Sequence, residues 1–269
     1  MMNRQQYEAK TILVTVKTYP SPSKKYIETT CVSGITDDGR WIRLHPVNFR
    51  SLEEESRFPR YSWIRVRVNK STQDHRPESY HLDIDSIEHL RKVSTTNEWH
   101  ERRSIVEPML SRSVEELKDN LESQGTSLGV IHPREITRFH IEKTTSNWSQ
   151  EELAKLDRQQ IFAYKTVPLL EKIPFNFIYE FSCDDPRCRG HRMKVLDWEV
   201  AQAYRSWSQG KTLTEWQEKF LKEFDYNVRH LYDSLFFLGT LSAHPQNWII
   251  GGIFFAPKKR PQQTLWQSE

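Results

Sequence analysis

Long apolar runs are missing from this sequence of 269 residues. No stretch approaches the roughly 18 apolar residues of a membrane span. The opening Met1-Met2-Asn3-Arg4-Gln5-Gln6 starts no signal-peptide core. A membrane partner is therefore not expected, and the chain reads as soluble and cytoplasmic. Cysteine is scarce, with Cys31, Cys183 and Cys188 the three present. An odd count, with two thiols close to a histidine, argues against a disulfide framework and for a reducing compartment. Net charge is small, +3 with a pI near 8.6. The global field is thus weak, and any nucleic-acid site needs local clustering of basic side chains. A phosphate-binding glycine loop is also lacking. Gly210-Lys211-Thr212 has Arg205 where that motif needs its first glycine. Thr212 reads instead as a helix cap paired with Glu215. No internal repeat is visible.

Aromatic residues are plentiful: nine Trp, ten Tyr and thirteen Phe exclude disorder. The length fits one large domain or two modest ones, with a real core. Residues 12–16 and 28–36 read as strands. Asp37-Asp38-Gly39-Arg40 reads as a hairpin turn, with Gly39 taking positive φ. Residues 41–45 return as a strand stopped by Pro46. Residues 63–68 alternate strictly, with Ile64, Val66 and Val68 on one face and Trp63, Arg65 and Arg67 on the other. Together these suggest a small twisted sheet or partly closed barrel.

Further on, Ser113 and Glu116 form a capping box ahead of Leu117 and Leu121. A strand is expected over 136–143, and a polar excursion over 147–164 with a helix from Ser149. Residues 174–183 read as a strand, 197–207 as a helix, and a second helix runs from Thr212 towards Asp233. Strands over 235–241 and 248–255 close the chain, and the tail after Pro257 is expected to fray. The fold class is α+β: a β-rich N-terminal region over 10–110, a helical middle over 111–172, and C-terminal strands with a Cys/His loop over 173–257.

That loop is the densest chemical signal. Cys183-x4-Cys188-x2-His191 places two thiols and an imidazole within nine residues. These are the ligand types that Zn²⁺ prefers, and a structural zinc is expected. The fourth ligand is sought among His244, Cys31, Asp184 and Asp185. The bland alternative is two buried thiols and a loop histidine.

Asp197 and Glu199 follow at the start of a helix. One of them could activate water or stabilise a cationic sugar centre. At helical spacing they would point about 200° apart. Alternatively, Asp197 caps the helix and Glu199 complements its dipole. Lys17, beside Thr18 and Tyr19, is a candidate phosphate contact or, if desolvated, an amine nucleophile. His244, before Pro245, could polarise a carbonyl or donate to a leaving base.

Between positions 40 and 70, eight basic residues stand against three acids. Guanidinium groups neutralise phosphates while indoles stack on bases, which suits single-stranded or flipped nucleotides. The expected nucleic-acid contacts are Lys17, Tyr19, Lys24, Lys25, Arg40, Trp41, Arg43, Trp63, Arg65 and Arg67. A solvated sheet face is the alternative.

Lys17-Thr18-Tyr19-Pro20, Asp38-Gly39-Arg40-Trp41-Ile42-Arg43-Leu44, Arg76-Pro77-Glu78-Ser79, Cys183-x4-Cys188-x-Gly190-His191 and Asp197-Trp198-Glu199 together resemble a widespread bacterial family. That group is similar to phage-defence DNA glycosylases that remove glucosylated hydroxymethylcytosine. The resemblance implies an antiviral DNA glycosylase that cleaves an N-glycosidic bond with carboxylate assistance. His244-Pro245 resembles the His-Pro loop of uracil-DNA glycosylases, but their Gly-Gln-Asp-Pro motif is absent. The alternatives are a zinc-containing nucleic-acid-binding module without catalysis, and a metal-dependent nuclease.

Overall fold

The computed structural model describes residues 7–156 and 168–258. The opening hexapeptide, most of the expected tail and the far end of the 147–164 excursion lie outside these residues.

The N-terminal strands are β1 (Glu8–Lys17), β2 (Ser21–Ser23), β3 (Ile27–Thr36), β4 (Trp41–Val47), β5 (Ser62–Lys70), β6 (Ser79–Leu82) and β7 (Glu88–Lys92). Five of them close a ring in the order β1-β3-β4-β6-β5, with β5 pairing back onto β1. All neighbours are antiparallel except β4 and β6. The barrel is thus closed rather than partial. With the short β2 set aside, this strand order and its single parallel pair are those of an OB-type barrel. Alternation drives the closure: Ile64, Val66 and Val68 point inward with Ile12, Val14, Val32, Ile42 and Leu44. At the tip of β3–β4, Gly39 takes a φ of 74°.

A second sheet contains β8 (Leu110–Ser111), β9 (Leu128–Ile131), β10 (Glu135–Lys143), β11 (Phe175–Ser182), β12 (His191–Val195), β13 (Tyr232–Leu241) and β14 (His244–Pro257). Its order is β10-β11-β12-β14-β13-β9-β8. The middle of the chain therefore supplies strands to this sheet as well as helices. His244 to Asn247 are the first residues of β14, not a loop between strands, because the β13–β14 hairpin turns on Ser242 and Ala243.

The helices are α1 (Thr96–Val106), α2 (Val114–Gln124), α3 (Gln150–Leu156), α4 (Trp198–Trp207) and α5 (Leu213–Leu221). A π turn, Lys222–Asn227, and a last turn, Val228–His230, extend α5. Their ends follow the sequence signals. Ser113 accepts from the Glu116 N–H, and Gly125 ends α2 at a φ of 73°. Thr212 and Glu215 form a reciprocal capping box. One face of the second sheet packs on α4 and α5 through Phe139, Phe177, Tyr179, Trp216, Phe220 and Phe224.

Barrel and sheet form one body. Leu13, Val16, Ile35 and Tyr61 share a buried cluster with Leu235, Phe237 and Phe254. A Cβ on Gly251 would lie 3.1 Å from Val16 Cγ1, so glycine permits the close approach of β14 to β1. Just past β1, the chain also docks on the link between β12 and the Asp197 cap: the Tyr19 N–H donates to the Leu196 carbonyl at 2.7 Å.

Candidate functional site

A cavity of about 700 Å³ lies between the barrel and the second sheet. Its barrel wall has three parts. Thr29, Cys31 and Ser33 of β3, with Arg43 and His45 of β4, form the face. Thr18 to Ser21 come from the β1–β3 connection, and Arg76 from the β5–β6 connection. The opposite wall carries Asn176, Lys194, Phe237, Gly239, Thr240 and Gly251. Trp148, Lys172 and the exposed His244 also line it.

Three buried polar atoms of lining residues have no hydrogen-bond partner: Arg43 Nε, His45 Nδ1 and Thr240 Oγ1. Such atoms are rare in native interiors unless a ligand or water completes them. Burial, then the charges of Arg43 and Arg76, lowers His45 to about 4. The imidazole is therefore neutral at neutral pH, with one donor and one acceptor.

Arg43 is 1% exposed and is no open surface contact. Its guanidinium donates to the Ser127 carbonyl and hydroxyl at 3.0 Å each and to the Thr240 carbonyl at 3.5 Å, with Glu78 at 3.8 Å. Arg76 donates to the same Thr240 carbonyl at 2.8 Å. The Arg76-Pro77-Glu78-Ser79 stretch is thus a turn that also walls the cavity. Asp74 holds it by accepting from Arg76 Nε and from the Ser79 hydroxyl, both at 2.8 Å.

Asp197 and Glu199 meet on one partner, Arg60 Nη1, at 3.0 and 2.8 Å. The 200° separation holds only if both residues are helical; Asp197 is instead the N-cap, as the capping alternative has it, and lies outside the helical spiral. Its Oδ1 accepts from the Glu199 N–H at 2.7 Å, and its Oδ2 from Arg60 and from the Ile253 N–H at 2.9 Å. Both oxygens of this buried carboxylate are therefore engaged. Burial raises the carboxyl, opposed by Arg60. Burial alone would lower Arg60, but Asp197, Tyr61 and Glu199 together hold it above its ordinary value.

Lys17 packs beside this cluster. Its ammonium donates to the Phe58 carbonyl at 3.1 Å and lies 4.2 Å from the Phe49 ring centre. Burial lowers it to about 8. It is a buried structural cation, directed into the protein rather than towards a phosphate. Trp41 is half-buried and packs edge-on against Phe237, so it joins barrel to sheet instead of offering a stacking face. Tyr19 lines the cavity and donates through its hydroxyl to the Glu171 carbonyl at 2.8 Å. Lys24, Lys25, Arg40, Arg65 and Arg67 are exposed, and Trp63 is half-buried on the same strand. Arg40, Arg65 and Arg67 pair with Asp38, Glu88 and Asp83, and Lys25 reaches Gln73.

The Cys/His loop closes a separate site. Glu115, Cys183, Cys188 and His191 place one ligand atom each within 4.8 Å of one another. These four residues could hold a metal ion. Cys188 Sγ lies 3.3 Å from His191 Nε2, and Glu115 Oε1 lies 3.2 Å from the same nitrogen. Glu115 Oε2 is buried without a hydrogen-bond partner. Burial pushes the Cys183 thiol up to about 12. The fourth position is therefore Glu115, and none of His244, Cys31, Asp184 or Asp185. Asp185 instead ties the loop to α2 by accepting from the Ser113 hydroxyl at 2.8 Å. The Phe181–His191 pair lies at the metal-type end of the β11–β12 hairpin, and the Phe177–Val195 pair at the cavity end. The two sites are thus about 13 Å apart along the strand.

Sequence reasoning missed His45, Glu115, Lys194 and Thr240, while Arg60 stood only among the counted basic residues and Arg76 only in a quoted motif. Their roles depend on long-range pairing: Arg60 meets Asp197, and Glu115 meets His191, through contacts no local pattern encodes.

Two family models match the chain. A domain of unknown function (DUF8758) covers residues 8–108, and a second (DUF8757) covers residues 110–269. The second spans more than half of the chain, which belongs to that family. No curated protein sequence matches it.

Proposed function

We propose that the protein binds DNA and takes one nucleotide, from a single strand or flipped from a duplex, into the cavity between barrel and sheet. The observation that carries this reading is the composition of the barrel wall. OB-type barrels bind oligonucleotides on the face of their second and third strands and with the loops after the first and fourth. Here those elements are β3, β4, the Thr18–Ser21 stretch and the Arg76 turn, and all of them line the cavity. The volume suits a nucleotide-sized ligand. Arg43, His45 and Thr240 add polar side chains to this wall, each with one buried atom that has no partner. Tyr19 and Trp148 supply aromatic surface.

Excision of a modified base is the activity such recognition would serve, as a phage-defence DNA glycosylase. The second reading, a binding module without catalysis, is favoured by the full engagement of Asp197. A nuclease using paired carboxylates finds no further cluster of three metal-type ligands among the described residues.

The metal we assign to Glu115, Cys183, Cys188 and His191 is zinc, since thiolate and imidazole ligands select it over Mg²⁺ or Ca²⁺. Four protein ligands fill a tetrahedral shell, so its role is structural. It would pin α2 to the β11–β12 hairpin.

The test uses unmodified DNA and heavily base-modified phage DNA. Binding is measured at graded salt, and breaks are scored before and after treatment that cleaves abasic sites. Salt-sensitive binding supports the reading. Breaks only after treatment, and only in modified DNA, add glycosylase activity. No binding of single-stranded or duplex DNA at low salt would end it.

A further inference from the structure

The cavity is lined by an amine that no side chain or carbonyl among the described residues engages. On β12, Met193 and Val195 enter the core against the helices, so Lys194, which pairs with Ile178 across the hairpin, is exposed and lines the cavity. The neighbouring cations are occupied. Arg43 and Arg76 hold the Thr240 carbonyl, and Lys17 holds the Phe58 carbonyl. Lys172 donates to the Thr145 hydroxyl at 2.8 Å and the Asn147 carbonyl at 2.9 Å. Lys194 has no hydrogen bond or ion pair among the described residues. Burial, with Lys172 adding to it, lowers this amine below the ordinary lysine value. A lysine so placed has a larger neutral fraction, and the neutral amine is the nucleophile. Asp197 has no free oxygen for that task.

We propose that Lys194 is the catalytic nucleophile of this site and that its Nζ attacks C1′ of the bound deoxynucleotide. The inference rests on the proposal that the cavity takes a nucleotide of DNA. The Nζ lone pair forms a bond to C1′. The C1′–N bond breaks with its electron pair on the base, which takes up a proton from water or from His244. The new ammonium then loses a proton. The nitrogen lone pair opens the sugar ring, and O4′ takes up a proton. A C1′=Nζ iminium remains. Addition of water hydrolyses it, returning the amine and leaving an abasic aldehyde.

Hydride reduction fixes such an iminium as a stable secondary amine. Full-length protein is incubated with base-modified phage DNA, and separately with a duplex carrying one abasic site, each with sodium cyanoborohydride. A covalent protein–DNA adduct is expected on a denaturing gel, and mass spectrometry is expected to place it on Lys194. K194R keeps the positive charge, and its melting temperature reports folding. With that temperature unchanged, the adduct is expected to be lost. An adduct on another residue, or one that persists in K194R, overturns the proposal. DNA binding without any adduct in the wild-type protein overturns Lys194 and leaves nucleotide recognition standing. Absence of DNA binding removes both.

Discussion

Arg60 Nη1 lies 3.0 Å from Asp197 Oδ2, and both side chains are closed off from solvent. This pair joins the barrel to the second sheet. Arg60 also donates to the Thr15 and Ile253 carbonyls at 2.8 Å each, while Asp197 caps α4. Asp197→Asn removes the charge and leaves Arg60 with Glu199, whose side chain is half in water. Breaking a buried pair from one side costs about 3–5 kcal/mol. A lower midpoint in urea unfolding is therefore expected. A variant with an unchanged midpoint and lost turnover would return Asp197 to catalysis.

Glu115 gives the metal site its own test. Zinc is expected at one equivalent per chain. A chelator is expected to lower the melting temperature of the wild-type protein, because a site formed only on folding stabilises the fold. In Glu115→Ala and Cys188→Ser, metal content falls and melting becomes insensitive to the chelator. Equal zinc content in Glu115→Ala would remove it from the ligand set.

The elements legible in the sequence were those with local signals. Ile64, Val66 and Val68 alternate, and Ser113, Thr212 and Asp197 cap helices, so these positions were readable. The pair of thiols and His191 was legible for the same reason, since one loop supplies all three. Glu115 was not, because it stands on another element and has the look of a surface helix residue. β9 is four residues, Leu128–Ile131, and offers too short an apolar run to separate from the helix break before it. The basic cluster misled in part. Arg43 and Arg60 count as charges in the sequence, but the fold buries both against carbonyls and carboxylates.

Lys17 predicts a rise of stability with pH. Its folded value, about 8, lies below the unfolded lysine value near 10.5. Between these values the unfolded chain binds more protons than the folded one, so stability increases with pH from about 8 to 10. Below pH 8 the burial of the charged amine opposes folding at full strength. Lys17→Met, similar in length and uncharged, is expected to flatten the pH 8–10 slope of unfolding free energy. An unchanged slope in that variant would assign the effect to another group.

His45 links stability to recognition. Its folded value of about 4 lies below the usual 6.5, because burial, Arg43 and Arg76 disfavour the cation. As pH falls from 6.5 to 4 the unfolded chain takes up the proton first, and stability declines by at most about 1.4 kcal/mol per pH unit. His45→Phe keeps a ring in place and cannot titrate, so it is expected to remove this part of the acid slope. It also deletes the unpartnered Nδ1 from the cavity wall. If that nitrogen meets a base edge, binding of a single-stranded oligonucleotide should weaken by about tenfold, the weight of one hydrogen bond at a buried site. The loss should be the same at low and high salt, because no phosphate contact is removed. A flattened acid slope with unchanged affinity would place His45 in the fold and outside the base contact.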